Sequence, residues 1–345
     1  MNDLTVMVTA AGNQYMPGMV DCLKNNGERN IRLIAADMSN DPTILQMMDA
    51  LYQVPRATDP IYVDVLLEIC KKEKVDVVIP IMSAELPALV KNKHRFEEIG
   101  ILVSVSDMQS IEIANNKLRL YQFMQSIGMK TPRFCAVHCV DDLEKAFSFC
   151  GYPENAVCIK ATELSGSRGI RIIDPKKTRF DILFGEKPNS MYISYEELKT
   201  ILSEKDSMPE MMVMEALEGE EFSVDLLADH GKVLYMAARE SNVITASIPL
   251  EATLFHDEKA YEICRTIVKA LSFDGNADFD FRYDRNGIPV LMEINPRVAA
   301  TMAIFKAGGM NLPYLRIKQL LGEELPEIEI KTGVKMKRRF QEMFC

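Results

Sequence analysis

Hydrophobic positions in the first hundred residues fall into short runs: LTVMVTAAG (4–12), IRLIAAD (31–37), VDVVIPI (75–81) and ILVSVS (101–106). Between them, YVDVLLEICKKEK (62–74) and AELPALVKNKHRFEEIG (84–100) carry apolar residues at helical spacing. The runs read as buried strands and the spaced stretches as helices laid on them. Pro17 stands where a helix would begin after the first glycine turn, and Pro87 fits only a first helical turn. Strand, helix, strand at this rhythm predicts an α/β domain with a doubly wound parallel sheet.

The pattern changes near residue 115. NNKLRLYQFMQSIGMKTPRF (115–134) predicts a helix stopped by Gly128, with Thr131 and Pro132 leading into a strand, and DDLEKAFSFCG (141–151) a short helix. VCIKA (157–161) and IRIID (170–174) read as strands joined over a Ser/Gly loop, followed by a polar stretch with helical parts (175–208). MMVMEAL, EFSVDLLA and KVLYMAA predict three short strands, and 257–272 a long helix. ADFDFRYD and IPVLMEIN pair across the turn Arg285, Asn286, Gly287, and LPYLRIKQLLG (312–322) closes as a helix. The expected organisation is three parts: 1–114 as the parallel-sheet domain, then 115–210 and 211–345 as the two parts of an α+β domain with antiparallel sheets.

Length and charge narrow the functions. The 345 residues suit two or three domains, and 40 Lys+Arg against 50 Asp+Glu leaves −10, which argues against a broad nucleic-acid surface. Mean hydropathy of −0.05 fits an ordinary globular chain, and no run reaches the roughly 18 apolar residues of a membrane span. Asp3 and the lack of a basic n-region exclude a signal peptide, so the expected location is the cytoplasm and the expected partners are small molecules, not a membrane. The 8 cysteines show no C-x-x-C spacing and read as reduced core thiols. Cys135, His138 and Cys139 are weighed as a partial metal site against simple packing on a short strand, and packing is preferred.

Three segments carry candidate chemistry. In DFDFRYDRNGIPVLMEINPR (278–297), Asp278 and Asp280 share one strand face while Phe279 and Phe281 take the other. On the partner strand Glu293 and Asn295 share a face, and antiparallel pairing brings Asp280 beside them. Two carboxylates and an amide oxygen suit Mg²⁺, which takes its remaining ligands from water and substrate phosphates. The same residues would also serve as a solvated face with Arg297 neutralising Glu293. In CIKATELSGSRGIRII (158–173), a strand delivers Lys160, and Ser165, Gly166, Ser167, Arg168 and Gly169 form a donor-rich loop able to close over phosphates or to be a plain hairpin turn. In MVMEALEGEEFSVDLL (212–227), Glu215 and the backbone of Ala216 and Leu217 could read an adenine edge and Glu221 two ribose hydroxyls, or the segment is an acidic solvated hairpin. A fourth candidate, VTAAGNQYMPG with Asp37 as ribose acid, lacks GxGxxG, which leaves Gly12 as a tight-turn residue.

Together, and in this order along nearly the whole chain, these segments resemble the ATP-grasp superfamily, in its carbamoyl-phosphate-synthase large-chain-like branch. The resemblance implies a pre-ATP-grasp domain over 1–114, a small subdomain with the phosphate-covering loop over 115–210 and a subdomain with the magnesium site over 211–345. It implies ATP with Mg²⁺, expected as two ions bridged by Glu293 and replaceable by Mn²⁺, held by Asp280, Glu293 and Asn295. Lys117 and Lys160 then bind ATP phosphates under the loop Ser165 to Gly169, Glu215 with Ala216 and Leu217 reads adenine, and Glu221 holds ribose. Arg297 steadies the transferred phosphate or acyl phosphate, and Arg239 is a further candidate for the anionic intermediate. The chain departs from the family pattern at Asn116 (usually Asp), Ala161 (usually Pro) and Leu164 (usually Gly).

The implied reaction is ligation of a carboxylate to an amine through an acyl phosphate, releasing ADP and phosphate. Two alternatives stand beside it: phosphorylation of bicarbonate or carbamate, and a non-catalytic ATP-binding subunit. A homodimer through the N-terminal domain is the family-level expectation for assembly.

Overall fold

The computed structural model describes residues 2–345 apart from 165, 167, 188, 189, 246, 247 and 340, and only the backbone of 242–245. The chain folds as two compact units. One comprises Met1–Asn115, Glu221–Phe281 and Leu291–Cys345, the other Asn116–Glu220 and Arg282–Val290.

The first unit opens with the expected parallel sheet. Strands β1 (Leu4–Thr9), β2 (Ile31–Asp37), β3 (Ala50–Gln53), β4 (Val77–Ile79) and β5 (Leu102–Val103) lie in the order β3-β2-β1-β4-β5. Alternate residues of each strand feed opposite faces: Val6, Val8, Leu33 and Ile79 join one core, while Met7, Ile34 and Val78 join the other. Helix Tyr62–Glu73 covers the second face with Tyr62, Leu66 and Cys70. The amphipathic stretch at 84–100 is not one helix but two short ones, Leu86–Lys91 and Lys93–Glu97, with Pro87 in the first turn as its missing N–H requires.

The second unit holds β6 (Phe134–Val137), β7 (Val157–Ala161), β8 (Ile170–Ile173) and β9 (Met211–Glu215) in the antiparallel order β6-β9-β7-β8. Helix Leu143–Cys150 packs Phe147 onto Val157, Ile159 and Val213 of that sheet.

The chain then returns to the first unit through β10 (Glu221–Asp229), β11 (Lys232–Thr245), β12 (Ile248–Phe255), β13 (Gly275–Tyr283), β14 (Pro289–Asn295) and β15 (Lys335–Lys337). These form a six-stranded sheet, β14-β13-β10-β11-β12-β15. The strand expected at 232–238 runs on to Thr245, and β12 follows where no strand was expected. Helices Met302–Ala307 and Leu312–Leu320 cover one face of this sheet through Ile304, Phe305, Leu312 and Leu315. The same helices carry Met302, Tyr314 and Ile317 into the N-terminal core, so one unit contains both sheets. Lys306–Asp21 at 2.6 Å and Lys318–Glu28 at 2.9 Å fix the join, and the buried Arg316, paired with Asp274 at 2.7 Å, donates across it to Ser104 Oγ at 3.3 Å.

Candidate active site

Strand β13 sorts its residues by face. Phe279 and Phe281 are buried, Phe281 stacking on Phe222 at 5.2 Å, which turns Asp278 and Asp280 to the opposite face. Asp280 Oδ1 accepts from Ser223 Oγ of β10 at 2.6 Å, and Oδ2 accepts from Asn295 Nδ2 of β14 at 3.0 Å. Burial, then the charges of Asp278 and Glu293, push the Asp280 carboxyl well above its ordinary range. The structure therefore brings Asp280 beside Asn295 and within the field of Glu293, a hard-oxygen set whose donor chemistry fits Mg²⁺.

Two arginines border this set. Arg239, 5% exposed on β11, donates from Nε to Asp225 Oδ2 at 3.0 Å, from NH2 to Asp278 Oδ1 at 3.2 Å and from NH1 to Ser241 Oγ at 3.0 Å. Burial works against its charge, but Asp225 and Asp278 overcome this and raise its pKa above the ordinary value. Asp225 in turn is pushed up to about 8 by burial and by Asp278, with Arg239 opposing. Arg297 donates to Asp278 Oδ2 at 3.5 Å and to Val298 O at 3.3 Å, so Asp278 bridges both guanidinium groups. Sequence reasoning missed Asp225 and gave Asp278 no role beyond its strand face. Asp225 sits two residues beyond Ser223 on β10 and pairs with an arginine from β11, a match visible only once the strands are aligned.

In the second unit, Lys160 lies on β7 between Ile170 of β8 and Met212 of β9. The residue is 5% exposed, and among the described residues no acceptor hydrogen-bonds its Nζ. A buried stem ending in an ammonium without a protein partner suits an anionic ligand. Lys117 opens helix Lys117–Ser126 and donates from Nζ to Leu164 O at 2.9 Å and from its backbone to Thr162 O at 2.9 Å. The lysine thus reaches the loop that follows β7. Ser165 and Ser167 lie outside the described residues; Gly166 and Gly169 are in the left-handed region at φ +66° and +70°, and Arg168 is exposed.

Two departures from the family pattern have structural reasons. Asn116 caps the helix by accepting from Arg119 N at 3.0 Å while its Nδ2 donates to Glu163 Oε1 at 3.2 Å, a bond an aspartate could not make. Ala161 N donates to Gly169 O at 2.9 Å, closing the hairpin with an N–H that proline lacks.

Glu215 ends β9 with its carboxylate held by Arg133, Nε to Oε1 at 2.7 Å and backbone N to Oε2 at 3.0 Å. Ala216 N donates to Ala156 O at 3.1 Å, and Leu217 O accepts from Arg282 at 3.4 Å. Gly219 N donates to Tyr283 O at 3.1 Å, and a Cβ there would collide with that carbonyl oxygen, so the connector after Glu215 requires glycine. Glu221 is exposed at the start of β10.

The other candidates resolve into structural roles. Asp37 accepts from Gly12 N and Ser39 N, both at 2.8 Å, which anchors the first turn. Cys22, Cys70, Cys150, Cys158 and Cys264 are buried free thiols, and burial pushes Cys22, Cys70 and Cys150 up to about 12. Among the described residues Cys135, His138 and Cys139 do not converge as metal ligands. Asp142 instead accepts from the backbone of His138 at 2.9 Å and of Cys139 at 3.1 Å.

Comparison with known proteins places this geometry. Residues 207–341 match the family model described as ATP-grasp in the biosynthetic pathway with Ter operon, and residues 6–104 match the PylC-like N-terminal domain. The carbamoyl phosphate synthase large chain of Thermotoga petrophila is 24% identical over 281 residues, covering 78% of this chain and 24% of that protein. The chain thus spans about a quarter of the length of that curated relative. The biotin carboxylase–β,γ-ATP complex from Campylobacter jejuni superposes with a TM-score of 0.68 at 17% identity, covering 94% of this chain and 72% of that one. An L-amino acid ligase from Bacillus licheniformis gives a TM-score of 0.66 at 17% identity, covering 93% and 75%. By these matches the chain carries a PylC-like N-terminal domain over residues 6–104 and an ATP-grasp domain over residues 207–341, on a fold shared with ATP-grasp ligases.

Proposed function

We propose that the chain is an ATP- and Mg²⁺-dependent ligase that joins a carboxylate to an amine through an acyl phosphate, releasing ADP and phosphate. The observation that carries this reading is the Asp280, Glu293 and Asn295 oxygen set bordered by Arg239 and Arg297. Carboxylates packed together on a buried sheet face are costly unless a cation joins them. Asp280, Glu293 and Asn295 would hold Mg²⁺, two ions in the family pattern, and the metal would offset the charge of the ATP phosphates.

The remaining roles belong to the chain itself. Lys117 and Lys160 bind ATP phosphates as fixed cations, and residues Ser165 to Gly169 cover them with backbone and hydroxyl donors. Glu215 and the Ala216–Leu217 backbone orient adenine, and Glu221 orients ribose. A substrate carboxylate attacks the γ-phosphorus; the bond between that phosphorus and the β,γ-bridging oxygen breaks, and ADP leaves with the electron pair. Arg297, held by Asp278, steadies the phosphoryl oxygens, and Arg239 is a second cation bordering the same face. An amine then attacks the acyl carbon, phosphate departs, and the amine gives up a proton to form the amide. The covering loop keeps water from the acyl phosphate.

The test is incubation with ATP, Mg²⁺ and pools of carboxylic and amino acids, following ADP and weighing the products. A product equal in mass to acid plus amine minus water supports the ligase. The similarity to a carbamoyl phosphate synthase large chain favours one other reading, phosphorylation of bicarbonate. ADP release that needs bicarbonate and ignores other acids would select it.

A further inference from the structure

The two arginines beside the metal residues differ in which edge of the guanidinium the fold leaves open. Ser223 of β10 lies across from Arg239 of β11 and donates to Asp280 of β13, which accepts in turn from Asn295 of β14. With a strand period of two, Arg239, Asp225, Asp278, Asp280 and Asn295 therefore share one face of four adjacent strands. Arg297 leaves β14 through a tight turn, its backbone N donating to Asn295 O at 2.8 Å.

Arg239 has no edge to give. Its Nε and NH2, the fork that takes an oxyanion through two parallel bonds, go to Asp225 Oδ2 at 3.0 Å and Asp278 Oδ1 at 3.2 Å, and its NH1 goes to Ser241 Oγ at 3.0 Å. Arg297 is the opposite case. Its NH1 is engaged by Asp278 Oδ2 at 3.5 Å and Val298 O at 3.3 Å, and among the described residues its Nε and NH2 donate to no protein group. The Arg297 side chain is also the more accessible, 19% exposed against 6% for Arg239. Asp278 gives one oxygen to each arginine, so it is held by Arg239 at one end and takes only the NH1 of Arg297 at the other.

Aim matters here because charge alone does not suffice. Asp225, Asp278, Asp280 and Glu293 outnumber Arg239 and Arg297, so this set offers a phosphate oxygen no surplus of positive charge. Recognition then depends on the metal and on a guanidinium edge held in the right direction. An arginine fixed by one backbone carbonyl would keep much of its rotamer freedom, and a buried carboxylate removes it. We propose that Asp278 is the positioning residue for Arg297: anchored by Arg239, which Asp225 and Ser241 hold in place, it turns the Nε/NH2 fork of Arg297 toward the transferred phosphate. Arg239 acts through Asp278 and does not touch the phosphate. This inference rests on the ligase reading above, and it divides the charged face into one contact arginine and a buried Asp225–Arg239–Asp278 support.

The test is titration calorimetry of inorganic phosphate into the full chain saturated with Mg·ADP. Arg297→Gln is expected to weaken phosphate about 30-fold, since it removes bonds to a charged acceptor. Asp278→Asn should weaken it about tenfold through loss of aim. The sign discriminates, because deleting a carboxylate beside an anion site would on charge alone tighten phosphate. Asp278→Glu keeps the charge and displaces the oxygens by one methylene; it should also weaken phosphate, and it carries the test if the asparagine variant does not fold. In the Arg297→Gln background neither Asp278 change should weaken phosphate further, and Arg239→Lys should weaken it only while Arg297 is present. The proposal is overturned if the Asp278 variants bind phosphate as tightly as the natural chain or more tightly, if their losses multiply with that of Arg297→Gln, if Arg239→Lys weakens phosphate in the Arg297→Gln background, or if the natural Mg·ADP complex binds no phosphate. Failure of the natural chain to bind Mg·ADP would instead count against the ligase reading, and phosphate would then be titrated alone, where the dependence on Asp278 is still read.

Discussion

Lys160 offers a prediction in which stability and binding move in opposite directions. Its stem is buried on β7, 5% exposed, and no described residue accepts from its ammonium. Replacing it with methionine keeps the length and removes a charge that the protein does not pair. The ligand-free chain should therefore be unchanged, or up to about 1 kcal/mol more stable. Binding should suffer, because a hydrogen bond to a charged partner is worth about 1.5–3 kcal/mol. A loss of about 2 kcal/mol weakens Mg·ADP roughly 30-fold. At a nucleotide concentration about 100 times the natural Kd, ligand stabilisation should drop from about 2.7 to about 0.9 kcal/mol. Urea denaturation of both proteins, with and without Mg·ADP, measures all four quantities. If Lys160→Met costs more than about 1 kcal/mol without ligand, the ammonium has a structural partner and the reasoning fails. It fails equally if the full nucleotide stabilisation survives.

Glu293→Gln should abolish ADP release while leaving the denaturation midpoint in the absence of metal within a few tenths molar of the natural chain, and chelation with EDTA should bring the natural chain to the same inactive state. Gly219→Ala places a Cβ 2.7 Å from Tyr283 Cβ, and overpacking of this kind costs about 1–3 kcal/mol, measurable by urea denaturation. Glu28 has its carboxyl lowered chiefly by the hydrogen bond from Lys318, so its contribution is present above its ordinary value of 4.5 and is lost as pH falls through the lowered value. Glu28→Gln should therefore narrow the gap to the natural chain below about pH 4 and leave it open at pH 7, as read from denaturation across that range.

What the sequence made legible follows from which interactions are local. Alternation in DFDF assigns Phe279 and Phe281 to one face and Asp278 and Asp280 to the other, because a strand has a period of two and one face is packed on the core. The turn at Arg285 to Gly287 was equally legible, since Asp284 accepts from Asn286 N and Ile288 N and Gly287 adopts φ +69°. Strand β12 was not, because SIPLEATLF contains a proline and alternates only in part, and its place is set by pairing with β11 on one side and β15 on the other. The charged strand β15, KMK, has no apolar pattern of its own.

Long-range charge pairing was the larger omission, and it bears on how the site is organised. Glu215 reads in sequence as a carboxylate open to an adenine edge or to solvent, yet Arg133, 82 residues earlier, engages both of its oxygens. Arg239 reads as a cation awaiting an anion, yet Asp225 and Asp278 from two other strands already meet it. Arg338, in a tail with no pattern, is held by the backbone carbonyls of Pro249 and Ala300. The residue types that attract attention in a motif are thus partly committed to one another once strands assemble. A residue whose charge the fold leaves uncompensated, as at Lys160, is where ligand charge has the most free energy to contribute.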